Sequence, residues 1–347
     1  MSSAKARFAD LFPLLAGAPR GQPDVVHVRA AFDAILAGAW TPVQVGAFAV
    51  VLRMLGESTE AIVAGAEAMR GAMTVVETGL DGVLDTCGTG GDGLGTLNLS
   101  TAAAVVVASL GVPVAKHGNR SVSSRSGSAD VVEALGIPID IPPARQARVL
   151  AEAGIAFLFA PAHHPALRHA AEARRELGIR TVFNALGPLA NPARATRQLV
   201  GVYDDALRPV FAHALARLGV ERAWVVRGED GLDEVSPSGP TRVSVLVDRV
   251  VKEKVVTPED FGLSRCPPSG FAGGDAKANA EAIEMIFARR THPAKEAVIL
   301  NAAAALVVAR GLEPREAAEE ARRAIEMGKA LQRLEHWRLA ARGAKAG

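Results

Sequence analysis

Cysteine is scarce in this sequence, since the 347 residues include only Cys87 and Cys266. Two cysteines give no disulfide framework, which predicts a reducing, cytoplasmic location. Residues Met1 to Arg7 lack the apolar core of a secretory signal peptide. No run reaches the roughly 20 apolar residues of a membrane span, because the apolar segment Thr101–Leu110 is too short. We therefore expect no membrane partner.

A strong excess of one charge is also missing. The chain has 39 Lys and Arg against 37 Asp and Glu, which gives a net charge of +2. This near balance disfavours nucleic acid as a partner. Hydrophobic residues make up 49% and charged residues 22%, which is typical of a soluble globular protein. The length suffices for a large core and two lobes.

Several familiar catalytic and cofactor patterns do not occur. No Cys/His spacing indicates zinc, and no Ser/His/Asp arrangement has a nucleophile elbow. Residues 88–93 match the G-x-G-x-x-G dinucleotide pattern. However, Val114-Ala-Lys116 stands where an acid for the ribose should end the next strand. The phosphate-loop pattern of nucleoside triphosphatases also fails, because no Gly-Lys-Ser/Thr follows the glycines.

Two regions with different patterns divide the chain. Residues 1 to about 79 predict helices, because Val26–Ala37 and Val43–Leu55 carry apolar residues at three- and four-residue spacing. From Gly82 onward, short apolar strands alternate with loops and helices, which is typical of an α/β lobe. The predicted strands are Gly82–Asp85, Val112–Ala115, Leu199–Val202 and Ala223–Val226, with an edge hairpin at Thr241–Lys254. The predicted helices of this lobe are Thr101–Leu110, Ala129–Leu135, Glu172–Gly178, Asp275–Phe287, Ala294–Val308 and Pro314–Leu331, followed by frayed residues Arg342–Gly347.

A glycine loop, residues 88–95, follows the first predicted strand. Glycine turns leave their backbone amides open to an anion. Asn98, Ser100 and Thr101 then supply polar donors at a helix N-terminus, whose dipole favours phosphate. The alternative is a tight turn followed by an ordinary N-cap at Ser100.

A basic loop, Lys116-His-Gly-Asn-Arg120, follows the second predicted strand, and Ser121, Ser123, Ser124, Ser126 and Ser128 come after it. Lysine is a point charge suited to phosphate, while hydroxyls and amides fix the geometry of the anion. His117 has a competing interpretation as a structural hydrogen-bonding residue. Together the two loops predict the two walls of one phosphate site.

An acidic pair, Asp233 and Glu234, ends the segment that follows strand Ala223–Val226. Adjacent carboxylates repel each other, and a cation relieves the repulsion. Oxygen ligands suit Mg²⁺ that is held largely through water and substrate phosphates. The alternative interpretation is an acidic surface loop.

Taken together, these motifs resemble the anthranilate phosphoribosyltransferase family over about residues 25 to 335. The resemblance is carried in the right order by Gly88–Thr101, Lys116–Asp130, Arg174–Pro192 and Asp230–Val235. It implies an α/β fold with a small all-helical lobe and a larger α/β lobe, whose central, mostly parallel sheet is flanked by helices. The helical lobe would be residues 1–79 with a helical insertion at about 171–197, and the larger lobe would be 80–170 and 198–347.

The resemblance also implies an activity. The enzyme would transfer the 5-phosphoribosyl group from phosphoribosyl pyrophosphate to the amine of anthranilate, with Mg²⁺, in tryptophan biosynthesis. It would be a homodimer formed through the helical lobe. Two rivals are a pyrimidine nucleoside phosphorylase and a non-enzymatic nucleic-acid binder with the same fold.

Site residues follow from the matched motifs. Around phosphoribosyl pyrophosphate the resemblance places Gly88, Gly91, Asp92, Thr96, Asn98, Ser100, Thr101, Lys116 and Ser128. Around anthranilate it places Gly88, His117, Gly118, Asn119 and Arg174. Magnesium would be placed by Ser100, Asp233 and Glu234. Lys116 would stabilise the leaving pyrophosphate, and Arg174 would position anthranilate; the motif register favours Arg174 over Arg175.

The departures from the family pattern are mild. Leu97 stands where the family commonly has Phe, and Met327-Gly328 replaces a Ser-Gly. His163 stands where an aromatic residue, often Tyr, precedes the next His, and it could alter the anthranilate channel.

Overall fold

A seven-stranded sheet forms the centre of the computed structural model, which describes residues 6–121 and 125–346. Its strand order is β3-β2-β1-β4-β5-β6-β7. The strands are β1 (Leu84–Gly88), β2 (Val114–Gly118), β3 (Ile155–Phe159), β4 (Arg197–Gly201), β5 (Arg222–Gly228), β6 (Thr241–Val247) and β7 (Val250–Val256). The first five strands pair in parallel, and β6 and β7 add an antiparallel edge hairpin.

Helices precede the sheet and then alternate with its strands. They are α1 (Phe8–Ala16), α2 (Val25–Leu36), α3 (Pro42–Leu55), α4 (Thr59–Ala72), α5 (Leu99–Ser109), α6 (Ser128–Ala134), α7 (Pro143–Ala153), α8 (Ala160–His163), α9 (Arg168–Leu177), α10 (Val182–Ala185), α11 (Leu207–Arg217), α12 (Ala276–Phe287), α13 (Lys295–Arg310), α14 (Pro314–Glu326) and α15 (Lys329–Ala346). Short 3₁₀ segments lie at Pro165–Leu167, Gly187–Leu189, Pro258–Phe261 and Pro268–Phe271. This arrangement confirms the predicted fold class.

The helical lobe is built on an aromatic cluster. Phe32 packs edge-to-face on Phe48 and on Phe183, which comes from α10 far along the chain. A Cβ at Gly65 would lie 2.8 Å from the Phe32 ring, so α4 can pack this closely only with glycine there. Helix α9 also packs against α2 and α3. The exact boundaries proposed for this lobe and its insertion stay predictions.

Helix α5 lies at the centre of the α/β lobe. Leu99 and residues 101–108 are all buried, and the helix packs against β1, β2, α13 and α15. A helix that is apolar on every side must be enclosed, because exposing any of its faces to water is unfavourable. Since α5 follows β1, this burial fixes its N-terminus at the carboxyl edge of the sheet.

Several element boundaries differ from the sequence prediction. Strands β1 and β2 run to Gly88 and Gly118, so the first polar residues of both motifs lie inside strands. The sequence pattern missed α7, α11 and β3, and it gave no bounds for α1 within the region that it predicted to be helical. The prediction that Arg342–Gly347 is frayed is wrong through residue 346, because α15 continues and buries Ala341 and Ala344. Gly347 lies outside the described residues. Pro314–Leu331 is two helices, separated at Gly328, whose φ is +75°.

Across residues 6–121 and 125–346, no single helix has the length and apolar character to cross a membrane. Only α13 and α14 meet those criteria as a pair, and they are bent by 118°.

Candidate functional site

The loops that follow β1, β4 and β5 meet at the carboxyl edge of the sheet. Strand β1 lies between β2 and β4, so this edge has a topological switch point, where α/β sheets commonly bind ligands. A Cβ at Gly201 would lie 1.5 Å from the Asp233 carbonyl oxygen, and one at Gly88 would lie 3.0 Å from Asp233 Oδ2. These two glycines allow the acidic pair to reach across β4 to the end of β1.

Lys116 is a buried cation beneath the N-terminus of α5, with 2% of its surface exposed. Its Nζ donates to the Thr86 carbonyl oxygen and, at 3.2 Å, to Ser100 Oγ. Burial lowers the pKa of Lys116, and the nearby carboxylates of Asp85 and Glu234 oppose this shift. The ammonium therefore has nearby acidic partners, as a buried cation requires.

Asp85 and Asn191 hold the start of the basic loop in place. Asp85 Oδ1 accepts from the His117 N–H at 3.1 Å, and Oδ2 accepts from Asn191 Nδ2 at 2.7 Å. Asn191 Nδ2 also donates to the Ala115 carbonyl at 2.8 Å. Burial raises the pKa of Asp85, while the bond from Asn191 and the charge of Lys116 act in the opposite direction. Sequence reasoning missed this bracing, since Asn191 lies in the matched stretch Arg174–Pro192 whereas Asp85 lies before Gly88–Thr101.

The acidic pair lies against the N-terminus of α5. Glu234 Oε1 accepts from the Ser100 N–H at 3.1 Å. Burial, and then the charge of Asp233, raise the pKa of Glu234 to about 8, whereas Lys116 lowers it. Burial and the neighbouring Asp92 likewise raise the pKa of Asp233. The structure thus brings the predicted metal residues together with Lys116.

These carboxylates fit a divalent cation. Asp92 Oδ2 is buried and has no hydrogen-bond partner among the described residues. Neighbouring carboxylates help to raise the pKa of Asp233 and of Glu234, and Mg²⁺ beside them would relieve that repulsion. Within the described ranges, no three His, Cys, Asp or Glu side chains form a ready ligand cluster. Mg²⁺ takes few protein ligands and completes its shell with water and phosphate, so the oxygen donors of Asp233 and Glu234 suit it.

The far side of the glycine loop rests on the segment before α12. Thr96 pairs with Ala272 in an isolated bridge, and the Gly273 N–H donates to the Gly95 carbonyl at 2.8 Å. Asn98 is half-buried, whereas Thr101 is fully buried. The hydroxyl of Thr101 has no partner in the part of the chain that the structure describes. The structure therefore places Thr101 beneath the loop surface rather than on it.

The basic loop folds back on α6. The Asn119 carbonyl accepts from the Ala129 N–H at 3.1 Å and from Ser128 Oγ at 3.4 Å. A Cβ at Gly118 would lie 2.3 Å from Ser128 Oγ, so this close approach requires glycine. Arg120 is paired with Asp130 at 2.8 Å. Ser123 and Ser124, which follow this loop in the sequence, lie outside the described residues.

His117 lies in a cluster of buried imidazoles. Its Nδ1 is 3.1 Å from the Gly187 carbonyl, and its ring centroid is 5.0 Å from that of His164. Burial, and then His164 and His163, hold the pKa of His117 well below its usual value, so the ring is neutral. Nδ1 then carries the proton that is donated to Gly187. Its Nε2 has no partner among the described residues. His163 is fully buried and bonded at Nδ1 to the Thr74 carbonyl, 3.0 Å away.

Arg174 stands in the last turn of α9. It is half-buried, and among the described residues it has no ion-pair or hydrogen-bond partner, while Arg175 is exposed. Burial lowers the pKa of Arg174.

Arg180 connects this segment to the glycine loop, and sequence reasoning missed it. Its Nη1 donates to the Gly90 carbonyl at 3.2 Å, and its guanidinium lies 4.3 Å from the Tyr203 ring centroid. A Cβ at Gly91 would lie 2.2 Å from Arg180 Nη2. Glycine at 91 therefore makes room for Arg180.

Comparisons with known proteins agree with the family that the sequence motifs indicate. A family model described as "Glycosyl transferase family, a/b domain" matches residues 80–331. A second model, for the helical bundle domain of that family, matches residues 26–73.

Individual relatives are similar over nearly the whole chain. An anthranilate phosphoribosyltransferase from Rhodopseudomonas palustris is 48% identical over 89% of this chain and 91% of its own. The crystal structure of the Thermus thermophilus enzyme superposes with a TM-score of 0.90 at 39% identity, covering 96% of this chain and 99% of that one. The Saccharomyces cerevisiae enzyme, solved in complex with PRPP and Mg, has a TM-score of 0.87 at 29% identity, covering 96% and 98%. With this similarity and this site, the chain belongs to the anthranilate phosphoribosyltransferase family.

Proposed function

We infer that this protein transfers the 5-phosphoribosyl group of phosphoribosyl pyrophosphate to the amine of anthranilate. The products are N-(5-phosphoribosyl)anthranilate and pyrophosphate, and the reaction is a step of tryptophan biosynthesis. One observation carries the inference beyond family membership. Ser100, at the N-terminus of α5, is bonded through its hydroxyl to Lys116 and through its N–H to Glu234.

The leaving pyrophosphate needs fixed positive charge. A helix N-terminus offers partial positive charge and free N–H groups, and it stabilises phosphate. Lys116 adds a full charge behind it, in a site where burial weakens solvent screening. The phosphoribosyl group would be surrounded by Gly88, Gly91, Asp92, Thr96, Asn98, Ser128 and Thr101. Of these, Thr101 would act from beneath the loop surface.

Ser100, Asp233 and Glu234 would hold Mg²⁺. When bound, the metal supplies charge neutralisation for the departing pyrophosphate. The raised pKa values of the two acids mean that part of the metal-free population is protonated near neutral pH.

Anthranilate would lie beside the basic loop. The guanidinium of Arg174 can clamp a carboxylate in two parallel hydrogen bonds. Asn119, Gly118 and His117 would form the facing wall. His117 is neutral and its pKa is well below neutral, which makes it a weak base. An aniline amine is already uncharged at pH 7, so alignment of the amine with the ribose carbon would supply much of the acceleration.

The direct test mixes the protein with phosphoribosyl pyrophosphate, Mg²⁺ and anthranilate and follows the loss of anthranilate fluorescence. We expect the fluorescence of anthranilate to fall only when the protein, phosphoribosyl pyrophosphate and Mg²⁺ are all present. Phosphorolysis of thymidine or uridine without that signal would instead favour the nucleoside phosphorylase.

We also propose a homodimer through the helical lobe. A groove of about 470 Å³ on α1, α3 and α9 is lined by Phe12, Pro42, Val43, Gly46, Ala47, Val50, Val51, Ala173, Glu176 and Leu177. Val43 is 81% exposed and Met54 is 73% exposed. Exposed apolar patches of this kind mark interaction surfaces. A second copy of this chain would cover the groove.

A cytoplasmic location is proposed as well. Both cysteines, Cys87 and Cys266, are free and buried in the described chain. Burial raises the pKa of each thiol, which keeps both in the unreactive protonated form.

A further inference from the structure

Asn98 occupies the N-cap position of α5 and yet does not cap the helix with its side chain. An asparagine there normally accepts a hydrogen bond from the N–H two or three residues later. Within the described residues Asn98 makes no such bond. The N–H of Ser100 is bonded to Glu234 instead, and that of Thr101 donates to the backbone carbonyl of Asn98 at 3.1 Å. The amide of Asn98 is therefore used elsewhere.

That amide is held by a residue 181 positions away. Asn279, buried in the first turn of α12, donates from Nδ2 to Asn98 Oδ1 at 2.9 Å. The same Nδ2 donates to Ser126 Oγ at 2.9 Å. Asn279 thus joins the N-terminus of α5, the segment just before α6, and α12.

A backbone group determines which way both amides face. The Gly274 N–H donates to Asn279 Oδ1 at 2.7 Å. A backbone N–H can only donate, so the oxygen of Asn279 must face Gly274 and its nitrogen must face Asn98.

Asn98 is oriented in turn. Its Oδ1 accepts from Asn279 Nδ2 and lies 3.4 Å from Ser126 Oγ. Its Nδ2 has no acceptor among residues 6–121 and 125–346, and it is not among the buried unpartnered atoms. An accessible N–H₂ group therefore remains at the N-terminus of α5.

We propose that Asn279 is a positioning residue of the phosphoribosyl pyrophosphate site, which holds Asn98 with its N–H₂ group toward the phosphates. The proposal rests on the proposed function, which brings that substrate to the N-terminus of α5. An amide N–H₂ donates to phosphate oxygen, whereas a reversed amide would present its oxygen to an anion and repel it. With 2% of its surface exposed, Asn279 acts through Asn98.

Two substitutions at this position separate polarity from packing. Asn279→Asp keeps the shape and the acceptor for Gly274 but has no N–H for Asn98, which then reverses to donate to the new carboxylate. Asn279→Ala releases Asn98 without reversing it. We expect the KM for phosphoribosyl pyrophosphate to rise by about tenfold or more in Asn279→Asp and by less in Asn279→Ala. A purely structural role predicts the opposite order, since Asp preserves more of the packing.

A double-mutant cycle and a matched control complete the experiment. In an Asn98→Ala background, Asn279→Ala should change this KM by less than about twofold, because their interaction is already gone. Asp275 caps the same helix, accepting from the Ala278 N–H at 2.8 Å, so Asp275→Ala should lower the Tm and leave the KM within about twofold.

Two results would overturn the proposal while leaving the enzymatic function intact. One is additive effects of the two asparagine substitutions, and the other is a lower KM in Asn279→Asp than in Asn279→Ala. A wild-type protein that transfers no phosphoribosyl group to anthranilate would overturn the proposed function itself.

Discussion

Lys116 shows how burial changes the role that a residue type suggests. A lysine that begins a polar run predicts an exposed point charge for phosphate. In the fold, however, its Nζ donates to Thr86 and Ser100. We therefore expect Lys116 to act on the pyrophosphate through Ser100 and through its field at the N-terminus of α5.

Arg174 and Arg175 offer a matched pair for testing substrate positioning. Arg174 is half-buried and Arg175 is exposed, although they are neighbours on α9. Arg174→Ala should raise the anthranilate KM by about tenfold or more and change kcat little, because a charge-assisted clamp is lost. Arg175→Ala should leave both parameters within about twofold. Steady-state kinetics with anthranilate varied would measure this, and similar effects of the two variants would contradict the assignment.

Glu234 makes stability and metal binding depend on pH. Its pKa in the folded, metal-free protein is raised to about 8, first by burial and then by Asp233. A raised carboxyl pKa favours the folded state below the unfolded pKa, and this stability is lost as the pH rises through about 8. Mg²⁺ should reverse the trend, because it requires the ionised form.

The measurement compares wild type with Glu234→Gln, which cannot titrate at this position. In EDTA, the free energy of unfolding of wild type should fall relative to that of the variant between about pH 5 and pH 8.5. With Mg²⁺ and pyrophosphate, the Tm of wild type should gain more at pH 8.5 than at pH 6, while the variant gains little at either. A constant difference across this range would refute the assignment.

At the scale of elements, the ends of strands rather than their interiors build the site. The loops after β1, β4 and β5 meet because parallel strands place their carboxyl ends at one edge. Close approach then depends on glycine, since Gly201 lies directly beneath the backbone of Asp233. Family motifs indicated the residues of these loops, but the contact between β4 and the acidic pair needed the sheet order.

Gly201→Ala should displace the acidic pair. The added Cβ would lie 1.5 Å from the Asp233 carbonyl oxygen, so the loop must move. We expect a loss of about 2 kcal/mol or more in the free energy of unfolding, measured by urea titration, together with weaker Mg²⁺ dependence of activity. Gly239→Ala is the control in a neighbouring loop, because a Cβ there meets no described atom within 4 Å. Equal stability of the two variants would show that the loop accommodates the methyl group.

At the scale of the whole molecule, the groove on α1, α3 and α9 is an apolar surface of the helical lobe. A charged side chain in such an interface is costly when it is buried without a partner. Val43→Asp should therefore convert a dimer into a monomer without lowering the stability of the lobe, because Val43 is 81% exposed. Light scattering after gel filtration measures the mass. A monomeric wild type, or a dimeric variant, would exclude this surface as the interface.

Much of the fold and site could be read from local patterns. Alternating apolar strands and helices predicted the α/β lobe, and helical periodicity predicted α2 and α3, because these signals depend on neighbours in sequence. The family motifs placed the glycine loop, Lys116 and the acidic pair in one site. Strand β3 and helix α7 were missed. For β3 the reason is that Ile155–Phe159 is a short apolar run, which periodicity alone does not distinguish from a buried helix.

The amino-acid order by itself determined the secondary-structure class and the chemistry carried by each motif, because propensity and residue type act over a few residues. Only the tertiary structure decided that Lys116 is buried, that Asn191 braces Asp85 across 106 residues, and that Asn279 orients Asn98 across 181. Such hydrogen bonds join groups that packing brings together, and no local pattern encodes their partners.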